Sequence, residues 1–253
     1  MAHLLVKNRR AVIATAAAVF VGVNAYDRQR QQNRNNNKSS FVSYCDAAVT
    51  KVAWPFDSKG LPTSLTPPGG STSSLYLSGV GMRRKNLYIT EVDVYLCGLN
   101  LSPVALKNVQ ILPKDALATD LAGAILKTNA SKVTEKNPYR ASVTLRFVRA
   151  VGKDKVVEAF NDAFKGCSTE AVASFTAALG TAVGKDGMKV DDTLVFYWSE
   201  HGGLTLAKNG AVCDSLKSPE VEQRLLQVYV DPSRAISQEF LKSIHDNVHK
   251  VLV

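Results

Sequence analysis

Residues 78–102 read SGVGMRRKNLYITEVDVYLCGLNLS. Two runs rich in β-branched, aromatic and aliphatic residues flank the polar triplet Arg84-Lys85-Asn86. Such a pattern predicts a strand over 75–83, a tight turn at the triplet and a longer strand over 87–99. Period two then sets the faces of the second strand. Tyr88, Thr90, Val92, Val94 and Leu96 share one face, and Leu87, Ile89, Asp93, Tyr95 and Cys97 share the other. An arginine, Arg83, closes the first strand, and Tyr95 follows twelve residues later near the end of its hairpin partner.

Working outward, the same rules extend to the rest of the body. Residues 115–129 predict a helix from Leu117, Leu121 and Ile125 at i, i+4 and i+8. RASVTLRFVR, 140–149, predicts a strand with Val143, Leu145 and Phe147 on one face and Thr144, Arg146 and Val148 on the other. Helices are expected over 153–165 and 168–183, the second starting at Ser168 and ending near Gly184. Strands over 193–199, 204–207 and 211–214 follow, the last two joined at Asn209-Gly210, a pair that tolerates positive φ. Amphipathic helices over 219–230 and 237–252 complete the chain. Consecutive hairpin strands with helices set apart from them predict an α+β fold on a large antiparallel sheet.

The chain has 253 residues, 45% hydrophobic and 21% charged, the composition of an ordinary globular body. Its net charge of +9 is unevenly placed: residues 1–38 hold seven basic side chains and one acidic one, leaving +3 on the other 215 residues. Nucleic acid is therefore not an expected partner. Upstream, AVIATAAAVFVGVNA (11–25) spans only about 22 Å as a helix, short of a hydrocarbon core of about 30 Å. Residues 1–26 thus read as a targeting segment or a marginal membrane anchor. Arginine richness favours a mitochondrial destination, with the secretory pathway or a plastid as the alternative. DRQRQQNRNNNKSS (27–40) has no large apolar side chain and reads as a disordered tether. A short helix over 42–52 and an irregular, proline- and glycine-rich stretch lead to an organised domain over 72–253.

Motif tests mostly exclude. Gly79-Val80-Gly81-Met82-Arg83-Arg84 replaces the last glycine of a dinucleotide fingerprint and leads into a strand, not a helix. Four widely spaced cysteines form no CxxC pair, so no metal site is expected. His245 and His249 stand at i, i+4, and His201 sits in a predicted turn. Arg83 with Tyr95 is the informative pair: a guanidinium fork holds an oxyanion through two parallel bonds, and a phenol donates a third.

Ser78–Ser102 resembles the Gly-x-Gly-x-Arg strand and the following Val-Tyr-x-x-Gly strand of the chalcone isomerase family. Further similarity runs through 146–164, 193–199 and 210–242, including Ile236-Ser237 before the final helix. The resemblance implies a chalcone isomerase-like open-faced β-sandwich, a large antiparallel sheet covered by helices with a ligand cleft between them. It also implies one of three behaviours: ring closure of a chalcone, fatty-acid binding, or membership of the less defined mitochondrial group. Arg83 matches the arginine that holds the phenolate in the isomerase and the carboxylate in the binders. Tyr95 falls at the isomerase's ketone-polarising threonine, Arg146 at a cleft lysine and Lys155 at the catalytic tyrosine. Asp162 replaces a cleft asparagine, and Val228-Tyr229 replaces a Thr-Met pair.

Ring closure needs donors at the developing enolate, each worth about 10²–10³ in rate. Their replacement favours a protein that binds a fatty acid or similar anionic hydrophobic ligand at Arg83, Tyr95, Arg146, Lys155, Asp162 and Tyr229, with no cofactor. An intramolecular lyase acting on a flavonoid-like substrate through Arg83 and Tyr95 is the alternative. A membrane-anchored mitochondrial haem-binding or scaffold protein using the histidines is the second.

Overall fold

The structure, a computed structural model, describes residues 54–69, 74–87, 90–113, 116–127 and 138–252. The leader, the tether, the helix expected over 42–52 and Cys45 lie outside the described residues.

Among the described residues, seven strands form one antiparallel sheet in simple sequence order. They are β1 (Ser64–Leu65), β2 (Leu75–Leu87), β3 (Thr90–Leu101), β4 (Tyr139–Phe147), β5 (Thr193–Ser199), β6 (Leu204–Lys208) and β7 (Ala211–Leu216). Helices α1 (Pro103–Gln110), α2 (Leu117–Leu126), α3 (Lys153–Ala163), α4 (Thr169–Val183), α5 (Pro219–Val230) and α6 (Gln238–Asn247) accompany it. A single 3₁₀ turn, Val248–Lys250, extends α6. The α+β class and the helix-covered antiparallel sheet expected from the sequence are both present.

Local chemistry sets most boundaries. Ser102, Ser168, Ser218 and Ser237 cap α1, α4, α5 and α6 by accepting a hydrogen bond from the N–H three residues on. Proline opens α1 and α5 at a position where its missing N–H is no loss. Asn209 (φ 51°) and Gly210 (φ 81°) make the β6–β7 turn in the left-handed region.

Two expectations need correction. Arg84-Lys85-Asn86 is not a turn: β2 runs through it to Leu87 and β3 begins at Thr90. The reason is that Arg84 has partners on the strand, with Nε 2.9 Å from Asp93 and Nη1 2.9 Å from Glu239 at the start of α6. A register shift between Arg83 and Arg84 accommodates it. The helix expected over 115–129 is confined to α2, and α1 forms before it.

The main core lies between the sheet and its helices. Leu99, Val143, Leu145, Phe196 and Trp198 meet Phe160, Phe175, Leu225 and Ile244 there. The sheet's other face carries smaller clusters. Leu61 packs on Leu77, Val80 and Leu96, with Trp54 and Phe56 beside them. Trp54, Phe56, Leu61 and Leu65 thus belong to the packed body.

Helix α6 positions the site. It lies on β2 where Gly79 and Gly81 leave no side chain: a Cβ at Gly81 would stand 2.4 Å from the Phe240 Cα, and one at Gly79 2.4 Å from Ile244 Cγ1. The Gly-x-Gly that failed as a nucleotide motif is a track for this helix. Ser243 Oγ accepts the Val80 N–H at 3.0 Å and Ser237 Oγ donates to the Met82 carbonyl at 2.8 Å. These two bonds satisfy β2 backbone groups beyond the stretch that the two-residue β1 pairs.

Candidate functional site

The next residue on the glycine face of β2 is Arg83, directly opposite Tyr95 on β3 in the sheet register. Register partners share a face, so guanidinium and phenol stand side by side. Arg83 is half-buried and donates from Nη1 to the Ile236 carbonyl, at 2.5 Å, in the loop that leads into α6. The Tyr95 ring packs on Phe147 at 5.3 Å. From α5, the fully buried Tyr229 descends into the same space and meets Phe240 edge-on at 6.4 Å. Cys97, also fully buried, follows Tyr95 on this face.

Burial pushes both phenols well above their ordinary value, and Arg83 only partly offsets it. The Cys97 thiol is raised by the same burial, again against Arg83. At neutral pH the three groups are therefore uncharged and the phenols are donors. The Tyr229 hydroxyl is buried beside Tyr95, and hydrogen bonding between the two phenols raises Tyr229 and lowers Tyr95. One cation and two phenol donors converge under an aromatic and aliphatic lining. That is the chemistry of an oxyanion clamp.

The six residues marked in the sequence divide evenly. Arg83, Tyr95 and Tyr229 come together. Arg146 lies on the opposite face of the sheet, paired with Leu96, and donates to the carbonyls of Gly60 (3.1 Å) and Lys59 (3.2 Å). Lys155 is exposed on α3 and pairs with Glu158 at 2.7 Å. Asp162, exposed on the same helix, pairs with Lys165 at 3.0 Å. The physical reason is the α3 stripe: Val156 and Phe160 turn inward, which sends 155 and 162 outward. Ile236 and Cys97 were missed as site neighbours. Ile236 acts through its backbone, which no side-chain pattern reveals, whereas Cys97 was legible as two residues from Tyr95.

The histidines stand apart from this cluster. His201 is exposed in the turn after β5. His245 and His249 are half-buried near the chain end, each with an unpartnered Nε2, and burial lowers the His245 pKa.

Residues 122–243 match the model of the family described as chalcone isomerase-like. Among solved structures, the chain is similar to a fatty-acid binding protein of Arabidopsis thaliana. The TM-score is 0.54 at 19% identity, over 75% of this chain and 93% of that one. At that identity the likeness establishes the fold. No curated protein sequence matches the chain. Residues 122–243 are chalcone isomerase-like in sequence, and the described body shares the fold of that solved structure.

Proposed function

We propose that the protein binds a fatty acid, or a similar amphiphile with one carboxylate, at Arg83, Tyr95 and Tyr229, and performs no chemistry on it. The observation that carries this reading is the fully buried Tyr229 hydroxyl set beside the Tyr95 phenol and the Arg83 guanidinium. A carboxylate oxygen accepts from such a phenol, and its second oxygen suits the planar fork of Arg83. Arg83 already bonds one carbonyl, of Ile236, through one of its five N–H groups, so donors remain for an anion. The aliphatic and aromatic side chains between sheet and helices supply the environment for an acyl chain. The similarity to a protein whose name records fatty-acid binding supports the same reading.

The non-catalytic part rests on Lys155. It stands where the isomerase carries its catalytic tyrosine and points to solvent in an ion pair with Glu158. Two measurements test the proposal. Native mass spectrometry of the purified protein is expected to find bound fatty acid, released in Arg83→Ala. Naringenin chalcone is expected to cyclise at its spontaneous rate in the protein's presence. Clear turnover above that rate overturns the binding-only reading.

A further inference from the structure

The loop between α3 and α4 meets α5 at a thiol that the carboxylate clamp does not use. Cys167 is half-buried and stands immediately before Ser168, the cap of α4. Glu220 and Arg224, at i and i+4 on α5, reach it from one face of that helix. Arg224 Nε donates to Cys167 Sγ at 3.2 Å. Glu220 accepts from the Ser168 hydroxyl at 2.6 Å and from its N–H at 2.9 Å. These bonds, with a further one from the Cys167 thiol, hold the Glu220 carboxyl below its ordinary range. A nucleophile, a carboxylate and a cation thus converge at one sulfur.

Arg224 is short of acceptors. Its bond to the sulfur is the one hydrogen bond that its guanidinium makes among the described residues. Nη1 is buried without a partner. Nη2 faces Gly166 of the same loop, where a Cβ would stand 3.7 Å from it. Buried donors are as a rule paired, so a guanidinium resting on a single thiol lacks the anion or oxygen that suits it. The other described cysteines have no such setting. Cys97 is sealed in the core, and Cys213 Sγ bonds the Ala211 carbonyl of its own strand at 3.4 Å.

Cys167 also borders an open trough of about 650 Å³ between α3 and α4, whose apolar lining comes from Phe164, Val172, Ala173 and Ala177. Thr176 Oγ1 donates to Asn161 Oδ1 at 2.9 Å across its far end. Beyond that bond the groove turns charged, with Lys153 and Glu158 on its walls. Along the helix, Cys167 and Thr176 are about 14 Å apart. The trough therefore suits an apolar chain of medium length. A metal ion would be repelled by Arg224, and a small oxidant would leave the trough unused. A carbonyl carbon bearing such a chain engages all three features: the sulfur attacks it, Arg224 holds its oxygen and the trough takes the chain.

We propose that Cys167 is an acyl-acceptor site, whose thiol takes a medium-chain acyl group from an acyl thioester and holds it as a thioester with the chain in the trough. The sulfur bonds to the carbonyl carbon while the thiol proton passes to Glu220. The oxyanion so formed accepts a hydrogen bond from Arg224. On its collapse the donor's carbon–sulfur bond breaks, and the proton moves from Glu220 to the departing thiolate. No oxidant, reductant or metal enters the balance. The site shares no residue with the clamp at Arg83 and stands whether or not that clamp binds a fatty acid.

The full chain, incubated at neutral pH with lauroyl-coenzyme A, should gain a hydroxylamine-labile acyl group that peptide mapping places on Cys167 and not on Cys213. Acetyl-coenzyme A, with no chain to bury, should transfer about tenfold more slowly or less. Arg224→Gln should slow lauroyl transfer about 100-fold, the usual cost of one oxyanion donor. Glu220→Gln, which removes the base but keeps an acceptor for Ser168, should slow it by a similar factor and carries the test if the arginine variant fails to fold. Ala173→Glu, on the exposed wall of the trough, should erase the preference for lauroyl over acetyl. Absence of an acyl group at Cys167, or equal labelling of Cys213, overturns the proposal. So does equal transfer from the two thioesters, a preference that survives Ala173→Glu, or a parent rate in either folded variant at 220 or 224.

Discussion

Replacing Gly81 by alanine should lift α6 from the sheet. The new Cβ would stand 2.4 Å from both the Cα and the backbone N of Phe240, where ordinary contact begins at 3.4 Å. Because the obstacle is backbone, no rotamer change relieves it, and the helix must retreat by about 1 Å. Overpacking of this kind costs about 1–3 kcal/mol. The retreat also strains three bonds that join β2 to α6 and its leading loop. These are Val80 N–H to Ser243, Ser237 to the Met82 carbonyl and Arg83 to the Ile236 carbonyl. Each contributes about 0.5–1.5 kcal/mol, so a total loss of about 3 kcal/mol or more is expected. Gly79→Ala should lose less, since the backbone its Cβ meets, Ile244 Cα and N, stands at 2.9 Å rather than 2.4 Å. Urea unfolding at constant m measures both. Gly123→Ala inside α2, where nothing lies within 4 Å, is the control and should gain about 0.5–1 kcal/mol. If Gly81→Ala unfolds within about 0.5 kcal/mol of the parent, α6 does not rest on the glycine track, and the placement of Ile236 over Arg83 fails with it.

Four further outcomes are expected. Arg83→Ala should weaken fatty-acid binding about 10- to 150-fold by displacement of a fluorescent acid, while Arg84→Ala, an outer ion-pair residue, leaves it nearly unchanged. Tyr229→Phe should weaken the same binding about fivefold, because it removes one buried donor beside Arg83 and Tyr95. Burial would raise the Glu239 pKa, but Lys59 and Arg84 outweigh it and hold the group below its ordinary value. Its contribution is therefore present at neutral pH and lost as pH falls below about 4; solvent screening keeps it under about 1 kcal/mol, and Glu239→Gln should flatten that acid limb. Arg146→Ala should lower the urea midpoint by freeing the Lys59–Gly60 segment and leave fatty-acid affinity within about twofold.

What was legible in the sequence follows from how local each cause is. β5 at 193–199 and α5 at 219–230 stand where period and caps place them, because Ser218, Pro219 and the apolar alternation act within a few residues. Helix α1 was legible too: Ser102-Pro103 is a cap followed by a first-turn proline, with Leu106 and Val109 buried behind it. Its eight residues were short enough to pass as loop. The false turn at Arg84 had the opposite origin. Three consecutive polar residues read as a break, but what keeps Arg84 in the strand is Asp93 together with Glu239, 155 residues away.

The site divides along the same line, and it shows which signal to prefer when two disagree. Correspondence with a family placed six residues in one cleft, whereas periodicity placed them on faces. On β4, Val143, Leu145 and Phe147 alternate with Thr144 and Arg146, so Arg146 could not share a face with Phe147. On α3, the stripe through Val156 and Phe160 leaves 155 and 162 outside. Both exclusions follow from the order of the amino acids alone. A correspondence fixes only position, and a short shift along a strand or helix turns a side chain to the other face. Hydrophobic periodicity reports the face directly, because burying the wrong one would bring an arginine, a lysine or an aspartate into the core at a cost no family likeness offsets. Arg83, Tyr95 and Tyr229 pass both tests: each corresponds in position, and each shares its face with residues of the helix-covered core.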